Sequence, residues 1–120
     1  MMSLLIVDDD ARMRSLIRSI VADLVDPITE CGDGDEAEAS YAEHQPDWVL
    51  MDLMMPRMGG LEATSRILFS NPAARIVMVT GHDGRSFRDA AESAGVWAFV
   101  SKEDLFDLRQ LIEPGSSLSV

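Results

Sequence analysis

The chain has a single cysteine, Cys31, so no disulfide can close within it. A reducing compartment is the expectation, with Cys31 read as buried packing behind its lead-in of Ile28 and Thr29. Basic residues are scarce: 10 Lys and Arg stand against 21 Asp and Glu, a formal net charge of −11. Direct binding to nucleic acid or to an anionic membrane needs clustered Lys and Arg, so both are argued against for this chain. Long hydrophobic runs are missing too, and nothing approaches the ~20 apolar residues of a membrane span. The first residues carry neither the basic segment nor the long apolar core of a signal peptide. A cytoplasmic location is therefore expected. Repeats are absent. The only low-complexity stretch, PGSSLSV at 114–120, reads as a flexible tail or the start of a linker, which leaves 1–113 as one domain.

What the chain does have is apolar character in short pieces. LLIV (4–7), WVLM (48–51), IVMV (76–79) and WAFV (97–100) are unbroken, and ITEC (28–31) is a weaker fifth. Strands without polar alternation suit a parallel sheet covered on both faces. Helical patterns separate them. Met13, Leu16, Ile17, Ile20 and Leu24 form one stripe, and Phe87, Ala90, Ala91 and Ala94 repeat the spacing. Leu61 with Ile67 and Leu68, and Leu105 with Leu108 and Ile112, do so less completely. Asp33 to Glu43 reads as an acidic surface helix, Gly59 as an N-cap and Gly95 as a helix end. Five strand–helix alternations predict a doubly wound α/β fold, with ligands beyond the carboxyl ends of the strands.

Those ends are polar. LLIV runs into Asp8, Asp9 and Asp10; WVLM into Asp52; IVMV into Thr80 and Gly81; WAFV into Ser101 and Lys102. Each residue alone has an ordinary explanation: an N-cap for Asp10, a turn for Thr80, a surface position for Lys102. Their convergence on one edge does not. Oxygen ligands from two strands suit a hard cation such as Mg2+, which takes one or two carboxylates and keeps several waters. A lysine and a hydroxyl beside them suit a phosphoryl group, and a carboxylate there can act as nucleophile.

At this point the chain resembles the receiver domain of two-component response regulators, over residues 3–113. The motifs are IVDDD (6–10), MDLMMPRMGG (51–60), VMVTG (77–81) and FVSK (99–102). The resemblance implies a five-stranded parallel sheet in the flavodoxin-like order 2-1-3-4-5. It makes Asp52 the phosphoacceptor. It gives the metal Asp8, Asp9, Asp52 and the backbone carbonyl of Met54, with Mg2+ as the ion and Mn2+ as the alternative. Thr80 and Lys102 become the phosphoryl-binding and switch pair, and Phe99 the switch aromatic. Met54 and His82 fall where the family tunes the lifetime of the phosphoryl group. The implied partners are a sensor histidine kinase or phosphotransfer protein and a downstream protein target, with the chain a monomer or weak homodimer. It would catalyse only its own phosphorylation and dephosphorylation.

Some positions depart from the pattern. Glu103 replaces the usual Pro after the lysine, so a trans peptide is expected there. Gly59 stands where the family prefers Asp or Asn. The last helix ends near Glu113, which weakens the case for dimerisation through it. A rival reading is a small Mg2+-dependent phosphohydrolase of the haloacid-dehalogenase type, with Asp8 as nucleophile and Asp10 two residues on.

Overall fold

The computed structural model describes residues 1–81 and 86–113. Strand and helix alternate along the chain: β1 (Met2–Val7), α1 (Ala11–Val21), β2 (Val25–Cys31), α2 (Gly34–His44), β3 (Trp48–Asp52), α3 (Gly60–Ser70), β4 (Ile76–Thr80), α4 (Arg88–Ala94), β5 (Ala98–Ser101) and α5 (Asp107–Ile112). The strands form one parallel sheet in the order β2-β1-β3-β4-β5. Fold class and strand order are as the sequence implies.

The unbroken apolar runs are explained by two cores, one on each side of the sheet. Leu4, Ile6, Trp48, Leu50, Val77 and Val79 face α1 and α5, where Ile17, Val21, Leu108 and Ile112 meet them. Leu5, Val7, Val49, Met51, Ile76 and Met78 face α2 and α3, meeting Ala37, Tyr41, Ala63 and Ile67. Leu4 to Val7 are fully buried. At roughly 1.5–3 kcal/mol for each large apolar side chain removed from water, β1 is a major contributor to stability. Pro27 lies on β2, an edge strand, where a missing N–H costs the sheet least.

The structure corrects several details. Leu16 is 46% exposed. The buried stripe of α1 is centred on Ile17, and Leu16, one residue earlier, is turned about 100° away. Leu24 packs on the core from the turn after α1 rather than from the helix. Asp33 is not part of a surface helix; it is the buried N-cap of α2. Phe87 and Trp97 sit just outside α4 and β5, and both are exposed. Gly59 and Gly95 cap α3 and α4 as read, and Cys31 is buried and free. Among the described residues the one cis peptide bond is Asp26–Pro27, so Lys102–Glu103 is trans. His82 and the stretch 114–120 lie outside the described residues.

Candidate functional site

Parallel register carries the strand ends to one edge. Val7 pairs with Met51 and Asp52 with Val79, so Asp8 and Asp52 leave adjacent strands close together. Thr80 pairs with Ser101, which brings Lys102 to the same level on the far side. One carboxylate oxygen from each of Asp8, Asp9 and Asp52 falls within 4.8 Å of the others. Asp8 is 2% exposed, Asp52 5% and Thr80 3%, whereas Asp9 is open to solvent. Asp10 does what its position suggests: its side chain accepts from the Arg12 N–H and caps α1.

Lys102 holds the cluster together. Its Nζ lies 3.2 Å from Asp8 Oδ2 and 3.2 Å from Asp52 Oδ1. One ammonium cannot neutralise two buried carboxylates with a third nearby. Burial pushes the Asp52 carboxyl up to about 6, the Asp8 charge adds to that, and Lys102 opposes it. The Lys102 ammonium is lowered by its own burial, but Asp52 and Asp8 outweigh this and raise it overall.

The donor set fits a small hard cation. Asp8 Oδ1 accepts from the Asp10 N–H at 2.8 Å, yet the buried Oδ2 makes no hydrogen bond. Its approach to Lys102 has ion-pair distance without hydrogen-bond geometry. A buried charged oxygen short of partners beside two more carboxylates is what a divalent ion would satisfy.

The turns that present these acids are braced from behind. Arg14 on α1 donates to the Asp8 carbonyl at 2.6 Å while its Nε reaches Glu30 at 2.9 Å; Arg18 shares that carboxylate at 2.6 Å. After β3 the chain folds back so that the Gly60 N–H donates to the Leu53 carbonyl at 2.9 Å. A side chain at Gly60 would overlap the Asp52 carbonyl, so only glycine fits. Asp33 then accepts from the backbone N–H groups of Arg57 and Met58 in the same loop. Burial pulls its carboxyl up, but the N–H groups of Arg57, Asp35 and Met58 together with the Arg57 guanidinium hold it below the usual carboxylate range. Sequence reasoning missed Arg14 and Asp33. The only signal for Asp33 was its place at the start of a helical pattern, which marks at most a cap.

The remaining predicted residues ring this centre. The Met54 side chain is 65% exposed, on the loop that leaves Asp52. Phe99 is half-buried on the edge strand, with the Arg88 guanidinium 5.7 Å from its ring centroid. A cavity of about 310 Å³ opens there, lined by Arg88, Phe99, Ser101, Glu103, Asp104 and Asp107 among others.

A doubly wound sheet carrying an acidic cluster, a buried hydroxyl and a lysine at its carboxyl edge defines a phosphoryl-accepting domain. The family model for the response regulator receiver domain matches residues 4–113, and the chain belongs to that family. It is 37% identical over 103 residues to the chemotaxis protein CheY of Listeria monocytogenes serovar 1/2a, a match covering 85% of this chain and 87% of the relative. A LuxR-family two-component response regulator from Aurantimonas sp. SI85-9A1 superposes with a TM-score of 0.81 at 36% identity, over 91% of this chain and 80% of that one. CheY in the CheX-CheY-BeF3-Mg+2 complex from Borrelia burgdorferi gives a TM-score of 0.83 at 26% identity, over 91% and 84%. The chain is thus a phospho-accepting receiver of two-component signalling. Among its described residues no helix is long and apolar enough to cross a membrane.

Proposed function

We propose that Asp52 is the phosphoacceptor, serving a sensor histidine kinase or phosphotransfer protein in the cytoplasm. The observation that carries this is the placement of Asp52: buried, on the middle strand, flanked by Asp8 and Lys102. A carboxylate oxygen of Asp52 attacks phosphorus. The P–N bond of the donor's phosphohistidine breaks, and the leaving imidazole takes up a proton. Asp8, Asp9, Asp52 and the Met54 carbonyl would hold Mg2+, or Mn2+ in its place, which would supply positive charge against the phosphoryl oxygens. Lys102 moves from bridging two carboxylates to pairing with a phosphoryl oxygen. Thr80 donates its hydroxyl to another.

The response follows from space. Thr80 drawn toward Asp52 vacates volume beside β5, and Phe99 turns into it, leaving Arg88 without its ring. That changes the surface formed by α4, β5 and α5, where a downstream protein binds. The chain itself acts on no separate substrate, remains a monomer or weak homodimer, and contacts neither nucleic acid nor membrane directly. Met54 shields the phosphoryl group from water; the same role at His82 rests on the sequence alone.

Borohydride trapping after treatment with acetyl phosphate and Mg2+ tests the assignment. The reduced residue is expected at position 52. Reduction at Asp8 instead overturns the assignment of Asp52.

A further inference from the structure

Asp33 is a buried carboxylate to which the chemistry above gives no task. It is 3% exposed, and its Oδ1 accepts from the Asp35 N–H at 3.2 Å, which caps α2. Capping alone does not call for a buried acid, since an exposed serine does as well. The remaining capacity is spent across the molecule. Oδ1 also accepts from the Met58 N–H at 3.0 Å, and Oδ2 from the Arg57 N–H at 3.2 Å. Both donors lie in the loop between β3 and α3, 24 and 25 residues along the chain.

Among the described residues the backbone of that loop is held elsewhere by the Gly60 to Leu53 hydrogen bond at its ends, while Met55 and Met58 pack against the core and the Arg57 guanidinium lies 3.4 Å from Asp35 and 4.0 Å from Asp33. The loop also lies hard against the Asp33 turn, because a side chain at Gly34 would overlap the Met58 carbonyl. Between the two anchors the backbone of Met54 to Pro56 has little freedom left. Met54 is the residue whose carbonyl is assigned to the ion.

Resting on that assignment, we propose that Asp33 is a positioning residue: its carboxylate fixes the β3–α3 loop so that the Met54 carbonyl meets the cation, and it thereby sets Mg2+ affinity. It touches neither ion nor phosphoryl group. Its action runs through two backbone N–H groups, as outer-shell partners orient ligands in other metal sites.

Three variants of the full chain separate this from simpler roles, with Mg2+ binding followed by calorimetry without phosphodonor and thermal stability measured alongside. Asp33→Ser keeps the cap and cannot reach the loop. It is expected to weaken Mg2+ binding by roughly 10-fold or more while the fold survives. Asp33→Asn keeps the two bonds made by Oδ1 and loses the one made by Oδ2, so its weakening is expected to be smaller. Arg57→Ala retains its backbone N–H and is expected to bind Mg2+ as the parent does. Unchanged affinity in Asp33→Ser overturns the proposal. So does equal weakening in the Ser and Asn variants, which means lost charge alone, or matching loss in Arg57→Ala, which transfers the effect to the guanidinium. A parent that binds no Mg2+, or whose affinity survives Asp9→Asn, overturns the site assignment and the proposal with it.

Discussion

The two ends of the sheet are built on opposite principles. At the amino edge, charges and rings are matched. Asp47 Oδ2 accepts from the Ser3 N–H at 2.7 Å; the Arg75 guanidinium lies 4.1 Å from the Trp48 ring centroid and donates to the Asp47 carbonyl; Trp97 stacks edge-on against Trp48 at 5.9 Å. At the carboxyl edge, three carboxylates crowd one ammonium and a buried oxygen has no hydrogen bond. The same strands feed both ends. The amino edge lowers the free energy of the resting fold, while the carboxyl edge holds repulsion that a bound divalent cation would relieve. The buried Trp48 Nε1 at the amino edge also has no hydrogen-bond partner, so what sets the carboxyl edge apart is its unbalanced charge.

Removing a carboxylate from the crowded carboxyl edge should therefore raise stability, whereas removing a cation from either edge should lower it. The largest effect is expected for Asp52→Asn. It abolishes phosphate incorporation from acetyl phosphate, read by intact mass. It also raises metal-free stability at pH 7.5 by roughly 1–3 kcal/mol, because a carboxylate that resists ionisation is gone. The pH dependence follows from the sign of the shift. The Asp52 carboxyl titrates near 3.8 unfolded and about 6 folded, so the folded state binds more protons in that window. Stability from this group is present below the window and is lost as pH rises through it. The advantage of Asp52→Asn should shrink toward pH 5 in denaturant titrations, and an advantage independent of pH breaks the comparison.

Lys102→Met comes next. Two buried carboxylates lose their shared cation, so the metal-free protein is expected to lose roughly 1–3 kcal/mol, discounted for the partial exposure of the lysine. Saturating Mg2+ should then raise the melting temperature more than in the parent. An equal or smaller rise would mean that Lys102 does not counter the site's repulsion. At the other end, Arg75→Ala removes the contact with Trp48 and the bond to the Asp47 carbonyl. A loss of about 1–2 kcal/mol is expected, with the phosphorylation rate unchanged. The smallest effect belongs to Met54→Asn, whose exposed side chain contributes little to stability. It should speed dephosphorylation while leaving the melting temperature alone, and an unchanged dephosphorylation rate removes the shielding role of Met54.

The contrast also marks where sequence reading works. All five strands and the edge that gathers Asp8, Asp9, Asp52, Thr80 and Lys102 were legible, because a sheet covered on both faces forces unbroken apolar runs and parallel strands share one carboxyl end. Leu16 was misjudged because a stripe's spacing does not say which of its residues lies at the centre. Asp33 and Arg14 were invisible for a different reason. The contacts that matter to the site go to backbone groups, which leave no mark on residue identity, and those of Asp33 lie on a distant loop. The pairing of Arg75 with Trp48 joins residues that precede or begin different strands, which only the register brings together.

The paired indoles of Trp48 and Trp97 have an optical consequence. They are the only tryptophans of the chain, and both lie at the amino edge. Trp48 and Asp52 stand at opposite ends of β3, about 13 Å apart along the strand. Native emission will thus follow the opening of the amino edge and the melting of the fold, and will be nearly blind to ion capture or acylphosphate formation. A fluorescent reporter of signalling has to be planted at the other end, and Trp97, the more exposed of the pair, is the indole to remove so that the new one can be read.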